Sequence, residues 1–91
     1  MDKNIISSSN GKLSIGTSPN PSSNNFRLKI ASSSDKSSVD VKVTDVQERI
    51  VESRKGMPGQ TMEIGVHYQP GIYFAQVTQG SNKVVIRIVK Q

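Results

Sequence analysis

Cysteine is absent from the 91 residues, and so is tryptophan. Without thiols the chain can form neither a disulfide nor a thiolate metal site, so packing alone has to hold it together. The missing cysteine leaves the redox compartment open, because a fold that needs no disulfide suits either. Aromatic residues are few: Phe26, Tyr68, Tyr73 and Phe74. No apolar run approaches the ~20 residues of a membrane-spanning helix, and no membrane insertion is expected. The start, "MDKNIISSSNG", lacks the apolar stretch of a secretory signal. The chain is therefore expected to be cytoplasmic or a piece of a larger protein. Its Ser/Asn/Gly-rich opening favours the second, and residues 1–11 read as a linker ahead of a domain over 12–91.

The groups that catalysis needs are also scarce. There is one histidine, His67, and it alternates out of phase with Ile64, Val66 and Tyr68, which points it to solvent. The seven carboxylates are Asp2, Asp35, Asp40, Asp45, Glu48, Glu52 and Glu63. No two of them have a spacing suited to general acid/base work, and no cluster matches a calcium loop. Serines abound, but none sits in a G-x-S-x-G elbow. "GMPG" and "QGSN" are turns without the Lys-Ser/Thr ending of a phosphate loop. No catalytic residue, cofactor or metal is expected.

What the chain does have is positive charge, +5 net, which suits an anionic partner. The cations are spread out, however. Arg27, Lys29, Lys42, Arg87 and others alternate with apolar residues, as on a solvated outer sheet face that supports solubility. A single-strand nucleic-acid binder interleaves exposed aromatics with its cations. Three of the four rings here fall at core parity, so no nucleic-acid partner is expected.

Period-two alternation recurs along the chain, and helical periodicity is almost missing. Leu13 and Ile15 alternate first. Phe26, Leu28 and Ile30 follow, then Val39, Val41 and Val43 beyond the polar "ASSSDKSS". Ile50 and Val51 mark a short strand. Met62, Ile64 and Val66 continue into Tyr68. Tyr73, Ala75 and Val77 share a face, and Val84, Ile86 and Ile88 close the series. "KGMPG", "QPG" and "TQGSN" supply turns. The pattern predicts an all-β fold, a compact seven-stranded antiparallel β-sandwich of immunoglobulin-like kind, with a small barrel as the alternative. "SPNP" at 18–21 is a rigid, donor-poor elbow through which neither a helix nor a central strand can run. It is expected to end one strand and swing the chain into the next. The last strand, "NKVVIRIVKQ", is expected to keep one edge available for recognition.

"SPNP", "VKVTDVQERIV", "QPGIYFAQV" and "NKVVIRIVKQ" occur in this order at 18–21, 41–51, 69–77 and 82–91. The ordered set resembles the type A C-terminal sorting domain of the type IX secretion system of Bacteroidetes, over about residues 12–91. The resemblance implies a non-catalytic secretion signal. It makes Pro19, Asn20, Pro21, Asp45, Pro70, Gly71, Tyr73, Lys83, Val89 and Lys90 the motif and recognition candidates. It implies an upstream cargo domain that folds in the periplasm. It further implies an outer-membrane translocon and a β-barrel shuttle protein as partners, and arrival at the cell surface or in the medium. A sortase-like cysteine peptidase would cut within residues 4–12. Two departures from the family pattern stand out. Asn25 precedes Phe26 where a glycine is common, and Asn is expected to take a positive φ there. Glu48 stands where many members have glycine, which leaves the turn after Asp45 and the bounds of the third and fourth strands open. The alternative is a carbohydrate-binding or adhesion module, for which Phe74 is the one ring at outer parity.

Overall fold

The computed structural model describes residues 6–9, 13–32 and 37–91. These form eight strands: β1 (Ile6–Ser9), β2 (Leu13–Ser18), β3 (Phe26–Ser32), β4 (Val39–Asp45), β5 (Ile50–Gly56), β6 (Thr61–Ile64), β7 (Gly71–Gln79) and β8 (Asn82–Lys90). The described residues contain no helix. One sheet has the order β1-β2-β3-β6 and the other β5-β4-β7-β8, and every pair within them is antiparallel. The expected sandwich is present, and its layout is compatible with an immunoglobulin-like domain.

Alternation decides which side of each strand goes inward. In β3 the residues Phe26, Leu28 and Ile30 are fully buried, while Arg27, Lys29 and Ala31 face water. β4 repeats the rule with Val39, Val41 and Val43, and β8 with Val84, Ile86 and Ile88. The two inner faces meet in one core that also takes in Leu13, Ile15, Met62, Ile64, Tyr73, Ala75 and Val77. Each of the larger side chains gains about 1.5–3 kcal/mol by leaving water, which is how a chain without crosslinks holds a two-layer fold.

Seven strands lie where the alternation places them. The eighth, β1, comes from the stretch read as a linker. Ile6 pairs with Thr17 and Ser9 with Ser14, a main-chain ladder that needs no apolar pattern. Other parts of that stretch and of the "ASSSDKSS" loop, residues 1–5, 10–12 and 33–36, lie outside the described residues.

Three strand details differ from expectation. β5 is longer than the Ile50–Val51 pair suggests, and both of those side chains are exposed. A register shift between Val43 and Thr44 re-aims this end of the β4–β5 ladder. The alternation after Met62 does not continue either. β6 stops at Ile64 because Gly65 takes φ +92°. Val66 consequently points to water at 57% exposure, while Tyr68 still leans on the core.

Candidate functional site

Both proline bonds of the elbow, Ser18-Pro19 and Asn20-Pro21, are cis. β2 ends at Ser18 and β3 starts at Phe26, so the elbow redirects the chain as expected. What lies between is more than a connector. Asn20 is buried at 7% exposure, and its amide reaches the last strand. Its Nδ2 donates to the Arg87 carbonyl at 2.9 Å, and its Oδ1 accepts the Val89 N–H at 3.0 Å. A primary amide offers one donor and one acceptor side by side, so Asn20 pairs with β8 as a backbone unit would. Ser22 continues the contact: its N–H donates to the Val89 carbonyl and its carbonyl accepts the Gln91 N–H, at 3.0 and 2.8 Å. The elbow thus lies along β8 as a short parallel bridge. β8 is an edge strand of its sheet, as expected, but the expectation that this edge stays free is corrected at the end of the strand. From Arg87 to Gln91 the elbow occupies that edge, because an unpaired edge beside a polar loop satisfies its backbone groups there.

Lys90 locks the same corner from the other side. Its side chain is buried at 6% exposure. The ammonium donates to the carbonyls of Asn24, Gly65 and Val66, the Gly65 bond being 2.5 Å. Three carbonyls can satisfy the three N–H donors of a lysine head without a carboxylate. Gly65 is needed for this shape. A Cβ there would stand 2.7 Å from Phe26 Cδ2, and φ +92° is a conformation that side chains disfavour. A glycine interrupting an otherwise alternating strand is the signal that could have shown this corner in the sequence.

Tyr73 fills the core at 7% exposure, and its hydroxyl donates to the Gln69 carbonyl at 2.6 Å. Its ring lies 4.7 Å from that of Tyr68. Tyr68 in turn donates to Glu52 Oε1 at 2.7 Å. Burial, and then the Glu52 carboxylate, push the Tyr68 phenol far above its ordinary pKa. Gly71, at φ +153°, opens β7, and Pro70 is exposed just before it.

Asp45 ends β4 and builds the next turn. Its Oδ1 accepts the N–H groups of Gln47 and Arg49 at 2.8 and 3.0 Å, and its Oδ2 accepts Arg49 Nε at 2.8 Å. The Arg49 N–H, then its guanidinium and the Gln47 N–H, hold the Asp45 carboxyl below its usual range, against an opposing effect of desolvation. The tight turn forms without a glycine because Glu48 adopts φ +64°. It is the one non-glycine residue with positive φ among the described residues, so Asn25 does not take the left-handed conformation expected of it.

The register gathers most of the motif residues at one end of the sandwich. Asp45 pairs with Tyr73, Tyr73 with Ile88, Gly71 with Lys90 and Ile72 with Val89. Lys83 does not join them. It lies at the far end of β8, opposite Thr78. Of the candidates, Asn20, Tyr73 and Lys90 are buried. Pro19, Pro21, Pro70, Gly71 and Lys83 are exposed, and Asp45 and Val89 lie between. An open cleft of about 930 Å³ borders this end, with Arg49, Glu52, His67 and Tyr68 among its walls. Its charges are largely spent on one another, in the pairs Arg49–Asp45 and Arg54–Glu52. No group of three metal-ligating side chains forms among the described residues.

A family model described as the secretion system C-terminal sorting domain matches residues 18–91. The chain belongs to this family. No curated protein and no solved structure matches it. The matched range begins at the elbow and ends with β8, so it spans the two segments that Asn20 ties together. As a type IX sorting domain the chain is a secretion signal. It engages the type IX machinery and directs its protein to the cell surface or beyond. Sorting domains of this family are generally non-catalytic. Phe74, the ring expected at outer parity, is exposed on β7.

Proposed function

We propose that the folded sorting domain, not a linear stretch of it, is the address read by the outer-membrane translocon and its β-barrel shuttle protein. The observation that carries this reading is the clasp of Asn20 on Arg87 and Val89. It joins motifs that are 67 and 69 residues apart, so they exist as a unit only after folding. The exposed candidates Pro19, Pro21, Pro70 and Gly71 present the surface of that unit. Asn20, Tyr73, Val89 and Lys90 hold it in shape, with Asp45 shaping the neighbouring turn. Lys83 lies apart from this unit.

In this reading the domain over 12–91 catalyses nothing. Its cargo lies upstream, crosses the inner membrane separately and folds in the periplasm before export. A sortase-like cysteine peptidase then cuts within residues 4–12 and joins the cargo to anionic lipopolysaccharide. β1 is an edge strand of four residues. It can leave β2 without disturbing a central pairing, which would free an extended segment for a peptidase.

The test is a fluorescent reporter with an inner-membrane signal peptide, ending in this chain, in a type IX-competent bacterium. Fluorescence is expected at the surface or in the medium, and should disappear in a translocon-deficient strain. Retention in the periplasm of both strains would overturn the reading.

A further inference from the structure

The two sheets present very different outer faces. Between them, β2, β3 and β6 place no large hydrophobic side chain in water. On the second sheet, Ile50, Ile72, Phe74 and Val85 are 58%, 39%, 36% and 44% exposed. The register makes them neighbours. Phe74 stands opposite Thr44, which stands opposite Ile50, and Ile72 stands opposite Val89. Val85 is opposite Gln76, one inward-facing residue beyond the Phe74 row. Ile72, Phe74 and Val85 form one apolar patch on β7 and β8, and Ile50 lies beyond Thr44 from it. An exposed apolar patch of this kind on a small domain marks an interaction site.

The charges beside the patch on β4 and β8 are mostly positive. Lys42, Lys83 and Arg87 share this face, and none is in an ion pair among the described residues. The one acid of the same face on β4, Asp40, sits at a corner and is taken by Lys55 at 3.7 Å. An apolar centre with an unneutralised positive border is complementary to an apolar centre with a negative border. A second copy would oppose like charges across the contact. The phosphates of an anionic bilayer would also suit these cations, so vesicle binding is one outcome of the test. A shaped protein surface can bring carboxylates down to the border.

We infer that this outer face is the docking surface of the sorting domain. Its partner is a protein surface of the export machinery with an apolar centre bordered by Asp and Glu. The inference rests on the reading that the folded domain is what the machinery recognises.

Export of the same reporter tests it. Three chains are compared with the wild type: Lys42→Glu/Arg87→Glu, Phe74→Ser/Val85→Ser, and a control, Arg27→Glu/Lys29→Glu, on the first sheet. The two charge reversals alter net charge equally and leave the core untouched. The Lys42→Glu/Arg87→Glu chain and the serine pair should melt within about 2 °C of the wild type, whereas the control loses its Arg27–Glu63 pair and melts somewhat lower, which makes its intact export the stricter comparison. If the serine pair does not, the charge reversal decides alone. Export should fall about tenfold or more for the second-sheet variants, with reporter held in the periplasm, and stay within about twofold for the control. Wild-type export with Lys42→Glu/Arg87→Glu unaffected, or with the control equally impaired, overturns this inference alone. Failure of the wild type to be exported overturns the sorting reading and this inference with it. Cosedimentation with phosphatidylcholine–phosphatidylglycerol vesicles that Lys42→Glu/Arg87→Glu abolishes would assign the face to lipid. Concentration-dependent dimerisation lost in the same variant would assign it to a second copy. Either result overturns the protein partner.

Discussion

Replacing Asn20 by Asp changes one atom and reverses one interaction. The side chain keeps its shape, and one oxygen still accepts the Val89 N–H. The other stands where Nδ2 donated to the Arg87 carbonyl at 2.9 Å. A donor becomes a charged acceptor facing an acceptor, at a position 7% exposed. A lost hydrogen bond removes about 1 kcal/mol, and an unpaired buried polar group adds about 1–3 kcal/mol, more when charged. The expected loss at neutral pH is therefore about 3 kcal/mol. A domain of this length has roughly 5–14 kcal/mol in total. At 4–8 °C per kcal/mol, melting should fall by roughly 12–24 °C. The penalty also has a predicted pH dependence. Burial raises the folded pKa of the introduced carboxyl, so the destabilisation is full above that pKa and is relieved as pH falls through it. Below it, the protonated oxygen can donate to the Arg87 carbonyl again. Urea unfolding followed by circular dichroism at pH 7 and near pH 4 measures both effects, with an unchanged m-value confirming the same native state. Asn20→Ala loses both bonds and has no carboxyl to protonate, so its deficit should not shrink on acidification. A wild-type midpoint for Asn20→Asp at pH 7 would refute the clasp.

Gly65→Ala should cost more than a surface change, about 3 kcal/mol or more, since its Cβ meets Phe26 at 2.7 Å and φ is +92°. A loss under about 1 kcal/mol in denaturant titration would count against that corner. Glu48→Gly should raise stability by about 0.5–1 kcal/mol. It relieves φ +64°, worth about 1–2 kcal/mol, less the added freedom of glycine in the unfolded chain; a lower melting temperature would refute it. Because the Asp45 pKa is lowered on folding, its contribution is present above about pH 4 and fades as pH falls through the folded value. Asp45→Asn should therefore lose less stability than wild type between pH 6 and acid, and parallel profiles would contradict this.

Strand identity was legible because alternation is a local signal. Val39, Val41 and Val43, or Val84, Ile86 and Ile88, announce a half-buried strand whatever lies beyond it. The sandwich followed from the turn spacing. Three features were not legible, each for a physical reason. β1 has no apolar alternation, and its pairing with β2 is carried by main-chain groups that every residue has. Lys90 reads as a surface cation, since a lone lysine carries no sign that three carbonyls wait for it. Asn20 reads as a turn residue between prolines, and its partners lie at the other end of the chain. Local pattern places strands, whereas the clasp depends on contacts that only the assembled topology creates. The resemblance pointed to both ends of the clasp but not to their contact. Glu48 was the one departure whose meaning the sequence half disclosed, since glycine at that place in many family members implies a left-handed backbone.

The same clasp decides how a truncation is to be interpreted. Removing Val84–Gln91 deletes all of β8 but its first two residues. It takes three buried side chains from the core, Val84, Ile86 and Ile88. At about 1.5–3 kcal/mol each, their loss is roughly 5–9 kcal/mol, against a total of roughly 5–14 kcal/mol. The deletion also strips Asn20 and Ser22 of their partners and exposes the paired edge of β7. The truncated chain should therefore be unfolded by circular dichroism at 25 °C, or melt broadly far below the wild type. Abolished export in that chain would report the loss of a fold and could not identify a code at the terminus. Point changes that leave the melting curve in place separate the two, and the exposed face of β7 and β8 is where such changes can be made. A truncated chain that keeps a cooperative, wild-type melting transition would refute this account, because β8 would then contribute neither core nor clasp.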